Sequence, residues 1–116
     1  MRYVLMINVD ESLYSQMGKA EQGAMMAEYQ AFGARYKEKI VGGDALHPVA
    51  TATTVRVRNG KTLSTDGPFA ETKEQLNGFY VVACANLDEA VDIASHIPDA
   101  VRGSIEVRPV MEFNAM

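Results

Sequence analysis

A chain of 116 residues with 47% apolar and 22% charged side chains is long enough for one hydrophobic core and too short for two, so residues 1–116 are read as a single domain. Its net charge of −4 comes from 15 acidic and 11 scattered basic residues, a balance that argues against nucleic acid as a partner. Nothing in it is apolar for long enough to span a bilayer, and the apolar start from Met1 to Val9 is too short for a signal-peptide core with its cleavage site.

Arg2 to Asn8 places Tyr3, Leu5 and Ile7 on one side and Val4 and Met6 on the other, which predicts a central strand apolar on both faces. Asp10-Glu11-Ser12 ends it, and Ser15 to Lys19 is a polar approach with room for a helical turn. A long helix is expected from Lys19 to Ile40, because Met25, Tyr29, Phe32, Tyr36 and Ile40 fall on one helical face. That stripe is read as the face packed on a sheet, the alternative being that the hydroxyl of Tyr29 or Tyr36 lines a cavity. Val41-Gly42-Gly43 is the expected helix stop. Asp44 to Val49 follows as a short extended piece carrying His47 just before Pro48.

Thr53 to Arg58 alternates with period two, and Asn59-Gly60 is a strong hairpin signal that returns the chain through Lys61 to Asp66. Asp66-Gly67-Pro68 is then a turn, because proline fixes its own φ and pushes the residue before it out of the helical region. The polar run after Phe69 ends at Asn77-Gly78, read as a stop or turn before an apolar strand from Phe79 to Ala85. Gly78 there needs either a positive φ or a close backbone neighbour. Asn86-Leu87-Asp88-Glu89 caps a second helix with Ala90, Val91, Ala94 and Ile97 on its inner face, stopped by Pro98, and His96 near its end is read as exposed. Ser104 to Val110 is the last strand, with Pro109 marking an edge. The order strand, helix, strand, inserted hairpin, strand, helix, strand gives an α+β domain of ferredoxin-like split β-α-β type. One face of such a sheet is apolar and uncovered, so the expected partner is a second copy, in a homodimer.

The single cysteine, Cys84, is a buried apolar residue in this reading and fits a reducing, cytoplasmic setting. The two histidines and the scattered acids lack the spacing of a metal site, and there is no phosphate-binding glycine loop, so no metal and no cofactor are expected. What remains is acid–base chemistry around the segment from Asp66 to Tyr80. Asp66 is the candidate base, competing with a role as turn residue, and His47 or Tyr80 is the candidate to shuttle the proton or stabilise charge. Glu71, Lys73, Tyr80 and Arg56 are the candidate ligand-binding groups. Each has a plainer alternative: the charged run is a solvated turn, and Arg56 and Arg58 pair with strand neighbours.

Asp66-Gly67-Pro68-Phe69-Ala70-Glu71-Thr72-Lys73-Glu74-Gln75-Leu76 followed by Gly78-Phe79-Tyr80 resembles the signature of the DGPF group of YCII-related proteins. Gly42 to Pro48, Ala52 to Arg56 and Gly103 to Glu112 resemble the same group in the same order. The resemblance implies the dimeric α+β barrel, whose distant members include isomerases, lyases acting on chlorinated rings, and metal-free oxygenases. It also implies a histidine–aspartate pair with the histidine on the first helix, but here Lys19 to Ile40 contains none. The group is further associated with sigma factors of the extracytoplasmic-function type. Three functions stay open: a cofactor-independent lyase or isomerase acting on a small organic molecule, a non-catalytic ligand-binding module tied to transcription control, or a structural interaction domain without a ligand.

Overall fold

Strand β1 (Arg2–Val9) sits inside a four-stranded sheet because both its faces are apolar and both its edges can pair. A computed structural model describes residues 1–113 of the chain. In it β1 runs antiparallel to β5 (Gln75–Ala83) on one side and to β6 (Ser104–Pro109) on the other, and β2 (Ile40–Ala45) adds outside β5. The order β2-β5-β1-β6 is that of a ferredoxin-like sheet, and the domain is α+β as expected.

Tyr3, Leu5, Ile7 and Val9 are buried along one face of β1. Against them pack Ala90, Ile93 and Ala94 of helix α3 (Leu87–Ser95), with Ile97 just beyond it. The expected inner face of this helix therefore differs at one position: Ile93 is buried and Val91 lies half-exposed. Its cap is as the sequence predicts, since the Asn86 side chain accepts from the Glu89 N–H at 3.0 Å. Glu89 in turn accepts from the Ala85 N–H at 2.9 Å. Val4 and Met6 occupy the other face of β1 and pair in register with Val81 and Phe79.

Helix α2 (Lys19–Arg35) is shorter than its apolar stripe predicts. It buries only Phe32 completely, whose ring lies 5.1 Å from those of Tyr36 and Tyr80. Past Tyr36 the chain turns, with the N–H groups of Lys39 and Ile40 both bonded to the Tyr36 carbonyl, and Ile40 opens β2. Val41-Gly42-Gly43 is therefore strand and not helix stop. Gly43 holds φ at +147°, and a Cβ there would fall 2.5 Å from the Phe79 carbonyl oxygen, so the two backbones meet closely. A short helix α1 (Ser12–Ser15) lies three residues earlier than the helical turn expected in the polar approach. It is opened by Asp10, whose carboxylate accepts from the N–H and the hydroxyl of Ser12.

The largest departure lies at Asn77-Gly78, which is not a turn but the interior of β5. Ile7 pairs with Gly78 and Asn8 with Leu76, leaving Asn77 as the extra residue of a β-bulge. Gly78 is buried because a Cβ would lie 2.9 Å from the Asp44 carbonyl oxygen, which is the close backbone approach its position calls for.

The inserted hairpin forms as predicted. Strands β3 (Thr53–Arg58) and β4 (Lys61–Asp66) pair from Thr53–Asp66 to Arg58–Lys61 through Asn59 and Gly60, both at positive φ. They make a separate two-stranded sheet. No helix of the described residues is long and apolar enough to cross a membrane.

Candidate functional site

The bulge in β5 and the turn after α3 bring together side chains that are far apart in the chain. Pro98 opens a 3-10 turn (Pro98–Val101) whose second residue, Asp99, is 1% exposed. A carboxylate taken so far out of water needs donors on every side. The hydroxyl of Tyr14, on α1, donates to Asp99 Oδ2 at 2.6 Å, and that of Tyr29, on α2, donates to the same oxygen at 2.5 Å. Arg102 donates to Oδ1 at 3.2 Å. The bulged Asn77 points its amide at the same cluster and donates to the Tyr14 hydroxyl at 3.1 Å. A hydrogen-bonded chain thus runs Asn77, Tyr14, Asp99, Tyr29.

This cluster forms the floor of a cavity of about 760 Å³. Its walls are Met17, Gln22, Met25 and Met26 from α2 and its approach, and the strand segments 43–45 and 77–80 opposite. The size is that of a site for a small organic molecule, and the balance of a broad apolar wall with a few convergent polar groups is usual for one. Gly43 and Gly78 leave bare backbone on the strand side, where any larger residue would meet the neighbouring strand.

Burial, and then hydrogen bonding to Asp99, pushes the Tyr14 and Tyr29 hydroxyls well above the ordinary phenol range. Burial raises Tyr80 in the same direction. Both floor tyrosines therefore hold their protons and serve Asp99 as donors. Tyr29 spends its hydrogen on Asp99 and keeps its oxygen lone pairs for a donor arriving in the cavity. The lining includes Asp44 and Asp99 but no lysine, arginine or histidine. Among the described residues no three His, Cys, Asp or Glu side chains are grouped as a metal site requires.

Of the residues singled out from the sequence, Tyr80 lines the cavity. Asp66 ends β4 opposite Thr53 and is exposed, and Arg56 is exposed in the middle of the same hairpin. His47, Glu71 and Lys73 are exposed as well, and none of these five lies in the cavity wall. Asp66 and His47 share no hydrogen bond, and neither lines the cavity. Tyr29 takes the alternative that its helical stripe left open, with its hydroxyl turned to the cavity floor. Asp99 and Tyr14 are not among the residues the sequence points to, and Asn77 enters there only as a turn residue. The one local signal for Asp99 was an acid set among Ile97, Pro98, Ala100 and Val101, an apolar setting in which a carboxylate needs partners from elsewhere.

Comparison with known proteins agrees with this architecture. The family model of the YCII-related domain matches residues 1–114. An uncharacterized protein of Rhizobium meliloti (strain 1021) is 43% identical over 114 residues, covering 95% of this chain and 92% of that protein. Among solved structures, 5-chloro-2-hydroxyhydroquinone dehydrochlorinase (TftG) from Burkholderia phenoliruptrix AC1100, in complex with 2,5-dihydroxybenzoquinone, is similar with a TM-score of 0.57. That match covers 99% of this chain and 98% of the other at 14% identity, and it shows the fold alone, the dimeric α+β barrel type.

Proposed function

Because the chain belongs to the YCII-related family and buries a tyrosine-bridged carboxylate beneath an open cavity, we propose that it is a cofactor-independent acid–base enzyme of lyase or isomerase type. The observation that carries this reading is Asp99, held at 1% exposure under the cavity and connected to it through two hydroxyls. Its substrate is a small, uncharged organic molecule with a hydroxyl or enolisable carbonyl on an apolar body. The carboxylates and the lack of cations in the wall disfavour an anion, and the methionines and Tyr80 suit a ring. The fold neighbour named for its action on a chlorinated hydroxyhydroquinone supports the same substrate class, by analogy of fold alone.

The chemistry is a two-proton shift. The substrate hydroxyl donates to Tyr29 Oη; its proton passes to that oxygen as the Tyr29 proton passes to Asp99 Oδ2. Asp99 becomes neutral and the negative charge moves to the substrate oxygen, which Tyr29 still faces as a donor. In a lyase the oxygen lone pair then forms a carbonyl as the carbon–leaving-group bond breaks and an anion departs, and the proton held on Asp99 goes back through Tyr29 to water in the cavity. In an isomerase the proton comes back to a different substrate atom. A relay of this kind is worth about 10²–10⁴ in rate.

A second reading has its own support: Asp99 already has three donors, as a purely structural latch would. The protein is then a non-catalytic binder, of the kind a sigma-factor-linked regulator would use. A thermal-shift screen of neutral hydroxylated rings and keto compounds, followed by assay of the hits for turnover, separates the two. Turnover by the wild type, lost about a hundredfold or more in Tyr29→Phe with binding retained, is the expected result. Hits that bind and are never converted leave the binder. The pairing of Val4 and Met6 with Val81 and Phe79 on the sheet face away from the helices supports a homodimer, and the lone buried Cys84 supports a cytoplasmic setting.

A further inference from the structure

The β3–β4 hairpin is an arm without a body beneath it. Its strands pair with each other and make no substantial contact with the rest of the chain. Val55, Val57 and Leu63 are 59%, 60% and 49% exposed on it. A two-stranded ribbon is only marginally stable in water by itself and needs a further surface to hold it. The arm also explains why the radius of gyration is 16.4 Å, where a compact chain of this length has about 13 Å.

Charge indicates what that surface is. The arm carries Arg56, Arg58 and Lys61 against the single acid Asp66, so it is +2 in a chain of −4, and the remainder of the chain is −6. By register Arg56, Arg58, Lys61 and Leu63 share one face of the arm, a basic surface with an apolar centre. Helix α3 offers the complement. It has no basic residue, and Leu87 and Val91, 51% and 50% exposed and one turn apart, are flanked by the exposed Asp88 and Asp92.

We propose that the arm of one copy clasps a second copy of this chain, its basic face lying along the outer ridge of α3. This contact is additional to any pairing of the sheet faces. It gives the face that carries Leu63 the covering layer that it lacks in its own chain, leaving Val55 and Val57 on the other face, and it makes assembly dependent on salt.

The test is subunit exchange between isotope-labelled and unlabelled copies, followed by native mass spectrometry at low and at high salt, with melting temperatures confirming that each variant is folded. Arg56→Glu with Arg58→Glu should speed exchange about tenfold at low salt, because the new acids face Asp88 and Asp92 and like charges across a contact shorten its lifetime as well as slow its formation. Asp88→Lys with Asp92→Lys should do the same. The four changes together should restore exchange close to the wild-type rate. Equal rates in wild type and arm variant would overturn the proposal. So would acceleration without rescue, which would put the arm on some other surface, and so would a wild type that is monomeric throughout.

Discussion

Replacing Asp99 by asparagine keeps the shape of the side chain and removes its charge. The amide oxygen can still accept from Tyr14 and Tyr29, but its NH₂ group then faces the Arg102 guanidinium, which until then donated to Oδ1 at 3.2 Å. Loss of that charge-assisted bond, with a donor left facing a donor, costs about 2 kcal/mol, and weakening of the two tyrosine bonds from charged to neutral strength adds about 1 kcal/mol. A chain of 116 residues unfolds with an entropy near 0.24 kcal/mol/K, so a loss of about 3 kcal/mol lowers the melting temperature by about 12 °C. Asp66→Asn, at an exposed hairpin end, is the comparison and should stay within about 2 °C of wild type. Differential scanning calorimetry on both variants measures this directly. An Asp99→Asn protein that melts with the wild type would show that the buried carboxylate is not held by its donors, and the reasoning about the cavity floor would fail with it.

Gly78→Val should destabilise by about 2–3 kcal/mol, since the new Cβ meets the Asp44 carbonyl oxygen at 2.9 Å, and urea midpoints should show it while Lys61→Ala stays near wild type. Tyr14 and Tyr29 are raised above the unfolded value of 10.0, so the stability they contribute is complete below pH 10 and is lost as pH rises beyond it. Urea midpoints between pH 9 and pH 11, on the order of the titration range of a phenol, should therefore fall more steeply for wild type than for the Tyr14→Phe, Tyr29→Phe double variant. Burial, and then the nearby Glu89, raises the Cys84 thiol, so a disulfide reagent at neutral pH should label it slowly in the native protein and quickly in denaturant. Comparable labelling rates would mean that the thiol reaches solvent in the folded state.

What could be read from the sequence had local causes. Period-two alternation marks β1, Asn59-Gly60 fixes the hairpin register, and Asn86 caps α3 with its own side chain. What could not be read was decided across the sheet. Tyr36 and Ile40 keep helical spacing although the helix ends at Arg35, because both still face the same core after the chain has turned. Asn77-Gly78 carries every local mark of a turn, and only pairing with β1 and β2 together makes it a bulge. Asp99 is the extreme case: its tyrosine partners lie 85 and 70 residues earlier in the chain, beyond the reach of spacing arguments. The signature segment from Asp66 onward drew the chemical reading toward itself, and within one chain its charged side chains stand outside the cavity that its last residue, Tyr80, helps to line.

The two sides of the cavity differ in how far they can yield. The floor is a locked set of hydrogen bonds, and the strand wall is backbone that cannot move without breaking the sheet. The opposite wall is Met17, Met25 and Met26, unbranched side chains with several rotatable bonds and a polarisable sulfur. Such a site is strict about the head of a guest and lenient about its carbon skeleton. On the proposed function, substitutions on α2 and its approach would change the scaffold admitted and leave the hydrogen-bonded floor untouched, so assays that vary the ring while keeping the hydroxyl should find a broader range than those that vary the hydroxyl.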